Sequence, residues 1–407
     1  MKYLVKKRIF AVAFLAGLFV YSGLNIFQNG ESIAKEVADQ AASLDFSSSE
    51  IEDAMKSDIV GKMGLVETYG YVQKKLGKEE FNNFEFIKDK NGYLQYSSFY
   101  TESNPELFDY ALRVKRAQDY VSAYGTKVLF VMTPAKYDTE NSVFSRGLPV
   151  NNPYDEVVEL MIYLKRLGVE TINLDEYMPV EGMTYDETFF KTDHHWTVPA
   201  AFEATKIVAG TLNERFDAGF DTDYWLSDER YTQKLYKGHM LGAMGRDTGV
   251  NYSGLEDFTA LFPNFEGHFS RTYTDNDNEV TKNEGSFTDA FFVSYVLNDD
   301  VDYYKNSQYS LYLDQIRNIE NLENYDNPDG PNILMIRDSY FAPVMTFMMP
   351  MCNKIDALYA YEKLENLEIS GYIKDKYEEG ERYDYLIIEM YPYNITDEAF
   401  RFFREDN

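Results

Sequence analysis

Residues 128–133 read Val-Leu-Phe-Val-Met-Thr, an unbroken apolar run lying between two helical patterns. Before it, Leu107, Ala111, Val114, Ala117, Val121 and Tyr124 recur at helical spacing, with Asn104-Pro105 as an opening and Gly125 as a stop. After it, Val157, Met161 and Leu164 mark a second helix that ends at Gly168, and residues 169–174 form another apolar run. A strand with no polar face needs cover on both sides, and βαβ units with right-handed crossovers supply it. The chain is therefore expected to be α/β, a parallel sheet flanked by helices. The rhythm lapses from 213 to 330, where polar loops surround a few alternating segments such as 268–273 and 290–297. This stretch reads as an insertion or cap over the sheet. The rhythm resumes with a strand at 332–336, a helix after Ser339 and a last strand at 385–388 between Asp384 and Glu389. An Asn91-Gly92 turn predicts a hairpin opening the folded domain.

The amino end carries a second constraint. Lys2, Lys6, Lys7 and Arg8 precede residues 9–27, which hold no charged side chain, and Glu31, Glu36 and Asp39 follow. About 20 apolar residues cross a bilayer core, and basic flanks stay in the cytoplasm. The expectation is an uncleaved signal anchor with the remainder outside the cell. The domains then run 1–30 for the cytoplasmic stub and anchor, 31–82 for a juxtamembrane stalk containing Ser47-Ser48-Ser49, and 83–407 for the catalytic body. A net charge of −29 argues against nucleic acid as a partner. The single cysteine, Cys352, rules out an internal disulfide and, in its apolar stretch, reads as core.

The chemistry concentrates in residues 192–198, Thr-Asp-His-His-Trp-Thr-Val. On an extended backbone Asp193 and His195 project to one side, so the carboxylate can bind one ring nitrogen and leave the other to take a proton. By the same geometry His194 points away, and adjacent histidines that diverge make a poor metal site; no metal or other cofactor is expected. The hydroxyl partner is sought at a strand-to-helix turn, where α/β proteins place their sites. Ser339 stands there in Arg337-Asp338-Ser339-Tyr340, where its own N–H and the helix start can face an oxyanion. Capping the helix is the alternative role for that serine. Lys136, Arg246, His194, Trp196, Arg337 and Tyr340 are the candidates for substrate binding, with packing or solvation as the competing role for each.

Together, Thr-Asp-His-His-Trp-Thr, the strand ending in Arg-Asp-Ser-Tyr and the Gly-Tyr-Leu opening at residues 92–94 resemble the DHHW-motif family, which is similar to alginate O-acetyltransferases of SGNH-hydrolase-like fold. The resemblance spans roughly residues 60–407 and is weakest over 250–330. It implies Asp193 and His195 as the acid and base pair and Ser339 as nucleophile, with the glycine-containing segment 238–246 near the site. Arg337-Asp338 stands where the better-known relatives have a glycine before the Asp or Ser. The implied function is a membrane-anchored O-acetyltransferase, working through an acetyl-serine on a cell-surface or secreted polysaccharide. A membrane-bound O-acyltransferase is the implied acetyl donor. A polysaccharide O-acetylesterase, or a catalytically silent glycan-binding member of an export complex, is the alternative.

Overall fold

A computed structural model describes residues 2–43, 59–97, 99, 104–150, 152–180, 182–274, 279–314, 317–361 and 368–404. The serine run 47–49 lies outside them. The chain divides into two compact units, residues 1–72 and 73–407. The first holds helices Lys2–Gln28 and Gly30–Ser43. Within it, Val5–Gln28 is long and apolar enough to cross a membrane.

The second unit begins with a small antiparallel sheet of β1 (Glu80–Phe81), β2 (Phe86–Lys88) and β3 (Leu94–Tyr96). Gly92, at φ 93°, supplies the left-handed residue that turns β2 into β3. The main sheet has eight strands. In chain order its first two are β4 (Lys127–Met132) and β5 (Glu170–Asn173). A separate two-stranded ribbon follows, β6 (Tyr231–Met240) with β7 (Glu256–Pro263). The main sheet continues with β8 (Phe269–Thr274), β9 (Val280–Gly285), β10 (Ile319–Asn324), β11 (Asn332–Arg337), β12 (Lys354–Tyr359) and β13 (Tyr385–Met390). Its spatial order is β5-β4-β13-β11-β12-β10-β8-β9.

The first five strands in that order are parallel, and their side chains sort by parity onto two faces. Val128, Phe130, Met132, Leu334, Ile336, Leu386 and Ile388 pack with helices Leu107–Ser122, Tyr154–Arg166 and Ile369–Glu378. Leu129, Val131, Ile333, Met335, Tyr385 and Ile387 pack with helices Val198–Phe216 and Phe341–Met348. Burial on both faces is why these runs lack polar alternation. Asn104 does not cap the first helix by itself; its Oδ1 accepts the Glu106 N–H (3.0 Å) in a turn just ahead of Leu107.

The stretch read as a cap departs from that expectation. Its strands β8, β9 and β10 extend the sheet, joining β12 through antiparallel pairing. Residues 287–291 are a short helix and 294–297 a 3₁₀ turn, so the alternation seen at 290–297 is not a strand. In β10 buried and half-buried positions alternate, in β9 none is buried, and in β8 only the first half is, which produces a sequence unlike the parallel core.

Candidate active site

Strand β11 runs out at Arg337 and the helix starts at Phe341, leaving Asp338, Ser339 and Tyr340 as the turn at the carboxyl edge. Asp338 organises this turn from a buried position. Its Oδ1 accepts the Tyr340 N–H (2.9 Å), and its Oδ2 accepts the Tyr391 N–H and the Asn394 amide (2.8 Å each). Below it, Glu389 at the end of β13 accepts the Asp338 N–H (2.9 Å). Burial, and then the neighbouring Asp338 charge, push the Glu389 carboxyl well above its usual range.

The second half of the site is the loop before helix Val198–Phe216. Thr197 caps that helix, its Oγ1 accepting from the Ala200 N–H (3.3 Å), and a bridge between Phe189 and Trp196 closes the loop. Residues 191–195 are bends, not the extended strand from which the Asp193–His195 pairing was argued. The pairing arises from a tight turn in which Asp193 Oδ1 accepts both the His195 backbone N–H (3.1 Å) and the His195 Nδ1 hydrogen (2.6 Å). With Nδ1 so held, Nε2 faces Ser339 Oγ at 2.8 Å. Ser339, His195 and Asp193 thus form one hydrogen-bonded chain, the last two almost wholly buried.

Several groups fix Asp193. Its Oδ2 accepts the Ala243 N–H (2.8 Å). Burial alone would raise its carboxyl, but His195, His194 and Arg246 together hold it well below the usual range, so it stays ionised. Glu256 accepts the N–H groups of Lys191 (2.6 Å) and Thr192 (2.8 Å), and Thr192 in turn receives the Gly242 N–H at its Oγ1 (2.8 Å) and the Gly245 N–H at its carbonyl (2.9 Å). A Cβ on Gly242 would stand 2.3 Å from Asp193 Cβ and 2.4 Å from the Thr192 carbonyl oxygen. Neither neighbour is a flexible tip, so the loop carrying Asp193 must move. Gly242→Ala is therefore expected to cut esterase or transferase turnover by about 10²-fold, since a 1 Å misplacement costs that much. Steady-state kinetics with the folded state checked by circular dichroism tests it; turnover within twofold of the parent chain would show that the loop absorbs the methyl without moving Asp193.

Of the six substrate-binding candidates, four are buried. Trp196 is fully buried, donating to Tyr309 Oη (3.0 Å), so no sugar can stack on it. Lys136 is buried with its ammonium on the carbonyls of Leu94 (2.6 Å), Lys191 (3.1 Å) and Asp193 (2.7 Å). It ties the hairpin to the Asp193 loop, and burial pushes it down to about 8. Arg337 is buried beside Glu320. Tyr340 is buried too, stacked on Tyr391 at 4.4 Å and donating to the His194 carbonyl.

His194 and Arg246 remain near open space. His194, with Tyr96, Tyr391, Tyr393 and Asn394, lines a cavity of about 350 Å³. Arg246 is partly exposed, with Nη1 on the Leu241 carbonyl (3.2 Å). The two histidine rings do not diverge: their centroids are 3.9 Å apart. Burial, then the adjacent His195, push the His194 imidazole down to about 3, so it is neutral at physiological pH. Asp193, His194 and His195 do bring ligating atoms within 4.8 Å of one another. However, both ring nitrogens of His195 are engaged, and an ion there would have to displace Asp193 or Ser339. Cys352 is fully buried and burial pushes its thiol up, which keeps it inert.

Sequence reasoning missed three supports. Tyr309 stacks face to face on His195 (4.1 Å, 20°) and donates to the Tyr340 carbonyl (3.1 Å). Glu256 and Glu389 hold the two halves of the site from beneath. Only Glu389 had a sequence signal, as a carboxylate ending an apolar strand.

The fold is that of an SGNH-hydrolase-like α/β domain, and the carboxyl edge of its parallel strands carries a Ser–His–Asp chain. Residues 90–264 match the family model of ALGX, described as the SGNH hydrolase-like domain of acetyltransferase AlgX. Among solved structures, Bacillus cereus PatB1 superposes with a TM-score of 0.60 at 16% identity, covering 78% of this chain and 99% of that one. PatB1 with a sulfonyl adduct gives 0.60 at 15%, covering 78% and 97%. A DHHW family protein from Eubacterium siraeum gives 0.54 at 17%, covering 79% and 96%. No curated protein matches the chain. The resemblance to the DHHW and alginate-acetyltransferase proteins read from the three sequence features therefore holds, and with it the fold.

Proposed function

We propose that this protein is an extracytoplasmic O-acetyltransferase of a cell-surface or secreted polysaccharide, acting through an acetyl-serine at Ser339. The observation that carries the reading is the continuous contact from Asp193 through His195 to Ser339 Oγ. His195 Nε2 takes the hydroxyl proton as Oγ attacks the acetyl carbonyl carbon of a donor ester. The resulting oxyanion collapses, the donor oxygen leaves with the proton from His195, and acetyl-Ser339 remains. An acceptor sugar hydroxyl then gives its proton to His195 and attacks the acetyl carbon, and Ser339 Oγ departs reprotonated. The Tyr340 N–H is committed to Asp338, which leaves the Ser339 N–H at the helix start as the backbone donor for the oxyanion. The match to an acetyltransferase domain supports acetyl as the group moved.

The test is mass spectrometry of oligosaccharides incubated with the protein and an activated acetyl ester. Acetylated oligosaccharide is expected, and it should vanish with Ser339→Ala. Removal of acetate from acetylated glycan without any acetylation of an acceptor would replace transfer by esterase action, and neither activity would leave a silent binding protein.

Membrane attachment belongs to the same proposal: an anchor within residues 1–30, a stalk over 31–82 and the catalytic body over 83–407. Helix Lys2–Gln28, with Lys6, Lys7 and Arg8 at its amino end, supports it. Tethering would hold the site beside a membrane-bound acetyl donor such as an O-acyltransferase, at an effective concentration on the order of mM. Protease added to intact protoplasts should digest the body; complete protection would place it in the cytoplasm.

A further inference from the structure

The carboxyl edge of the sheet carries a second, larger cleft of about 540 Å³. It opens beyond the ends of β4 and β5, where Thr133 and Asn173 line it. One short turn, Pro392–Asn394, borders both spaces: Pro392 lines this cleft, while Tyr393 and Asn394 line the cavity beside His194. Asp338, next to Ser339, holds that turn through the Tyr391 N–H and the Asn394 amide. A chain-like ligand lying across the turn would therefore reach from the cleft to the cavity beside His194.

The lining is chemically specific. Tyr137 and Tyr154 offer ring faces, Tyr154 at 56% exposure. Their phenols, and the Asp175 carboxylate, make no hydrogen bond among the described residues. Asn173 spends only its Oδ1, on the Asp175 N–H (3.2 Å). Asp138, Glu140 and Asp175 bring three carboxylates to the lining, and no lysine or arginine among the described residues joins them. These carboxylates do not converge as an ion site does; among the described residues only Asp193, His194 and His195 come that close. Negative charge spread along an aromatic wall suits a cation carried on a larger flat frame.

We infer that this cleft is the acceptor subsite, and that it takes a glycan of amino sugars with free, protonated amines, a sugar face on Tyr137 or Tyr154 and an ammonium toward Asp175. The word acceptor rests on the transferase reading above. A polyuronate would set its own carboxylates against Asp138, Glu140 and Asp175 and be repelled. A fully N-acetylated sugar would keep the stacking and lose the charge pairing.

Calorimetric binding to the full-length Ser339→Ala chain in detergent tests this without turnover. The probes are hexamers of glucosamine, N-acetylglucosamine and mannuronate. The glucosamine hexamer is expected to bind at least about tenfold tighter than either of the others, the size of one charge-assisted hydrogen bond, and to weaken as salt rises. Asp175→Asn should remove about that tenfold preference, and Tyr154→Ala, at an exposed position that folding does not depend on, should weaken binding of both amino-sugar hexamers. Equal or tighter mannuronate binding, or a glucosamine preference unchanged in Asp175→Asn, would overturn the inference. The two readings fail separately. Formation of acetyl-Ser339 in the parent chain with no amine preference leaves the transferase reading standing, and an amine preference without any acetyl-serine leaves the cleft standing as a glycan site.

Discussion

Ser339→Ala is expected to lower acetyl turnover by about 10⁴-fold or more, His195→Ala by a similar factor, and the double variant by no more than either alone. On the proposed function, Ser339, His195 and Asp193 act as a unit. Without Oγ, His195 has nothing to deprotonate; without His195, Oγ at neutral pH is a weak nucleophile, and nothing at 2.8 Å replaces the base. Asp193→Asn belongs to the same series. The amide can present its nitrogen to His195 Nδ1 and favour the tautomer that points a hydrogen at Ser339, which blocks the base; a loss of about 10⁴-fold follows. Burst kinetics with a chromogenic acetyl ester read the acylation step, and intact-mass analysis reads the acetyl-enzyme. Retention of even one per cent of turnover by Ser339→Ala, with the acetyl mark still present on the protein, would move the nucleophile elsewhere. His194→Ala provides the contrast. His194 is neutral and lines the cavity without touching Ser339, so its loss should be far smaller than that of His195→Ala.

Most of the parallel core was legible because its physics is local. Residues 128–133, 332–336 and 385–388 are apolar on both strand faces, and nothing but a covered parallel sheet tolerates that. The contact of Asp193, His195 and Ser339 was legible for a different reason: a short motif and a strand-to-helix turn both belong at the carboxyl edge. The route to the contact was not. An extended backbone was assumed for residues 193–195, whereas an aspartate turn makes the pairing and brings the His194 ring alongside instead of pointing it away.

Burial of polar side chains was what the sequence concealed. Lys136, Arg337 and Tyr340 read as candidates for substrate binding and Trp196 as packing or sugar stacking, and each is spent internally on carbonyls, a carboxylate or a phenol. Their partners lie from 17 to 146 residues away, where no spacing rule reaches. The extension of the sheet by β8, β9 and β10 was hidden similarly. An antiparallel strand with one wet face has the composition of a loop, and its register depends on partners that the chain supplies much earlier or later.

That extension is joined to strand β11 by charge, and removing the joint should cost several kcal/mol of stability. Glu320 on β10 is fully buried, as are Arg271 on β8 and Arg337 at the end of β11. Its Oε1 accepts from Arg271 Nε (2.8 Å) and Nη2 (2.5 Å), and its Oε2 accepts from Arg337 Nη2. Arg337 Nη1 also donates to the Asp338 carbonyl (3.2 Å), in the turn that presents Ser339. Such a group is weak evidence for net stability, since well-packed apolar residues in place of all three can do as well. Deleting only the carboxylate is different: it leaves two guanidinium charges in the interior facing each other. Glu320→Ala is expected to cost about 3–5 kcal/mol, which for a domain of this size lowers the thermal midpoint by roughly 5 °C. Glu320→Gln keeps an acceptor at one oxygen and should fall between. Because residue 320 then holds Arg337 less firmly, Glu320→Gln should also lower turnover at temperatures well below its own midpoint, while a distant surface charge change would not. Scanning calorimetry on both variants decides it, and a Glu320→Ala midpoint within about 2 °C of the parent would mean that water or backbone carbonyls satisfy the two arginines without the carboxylate.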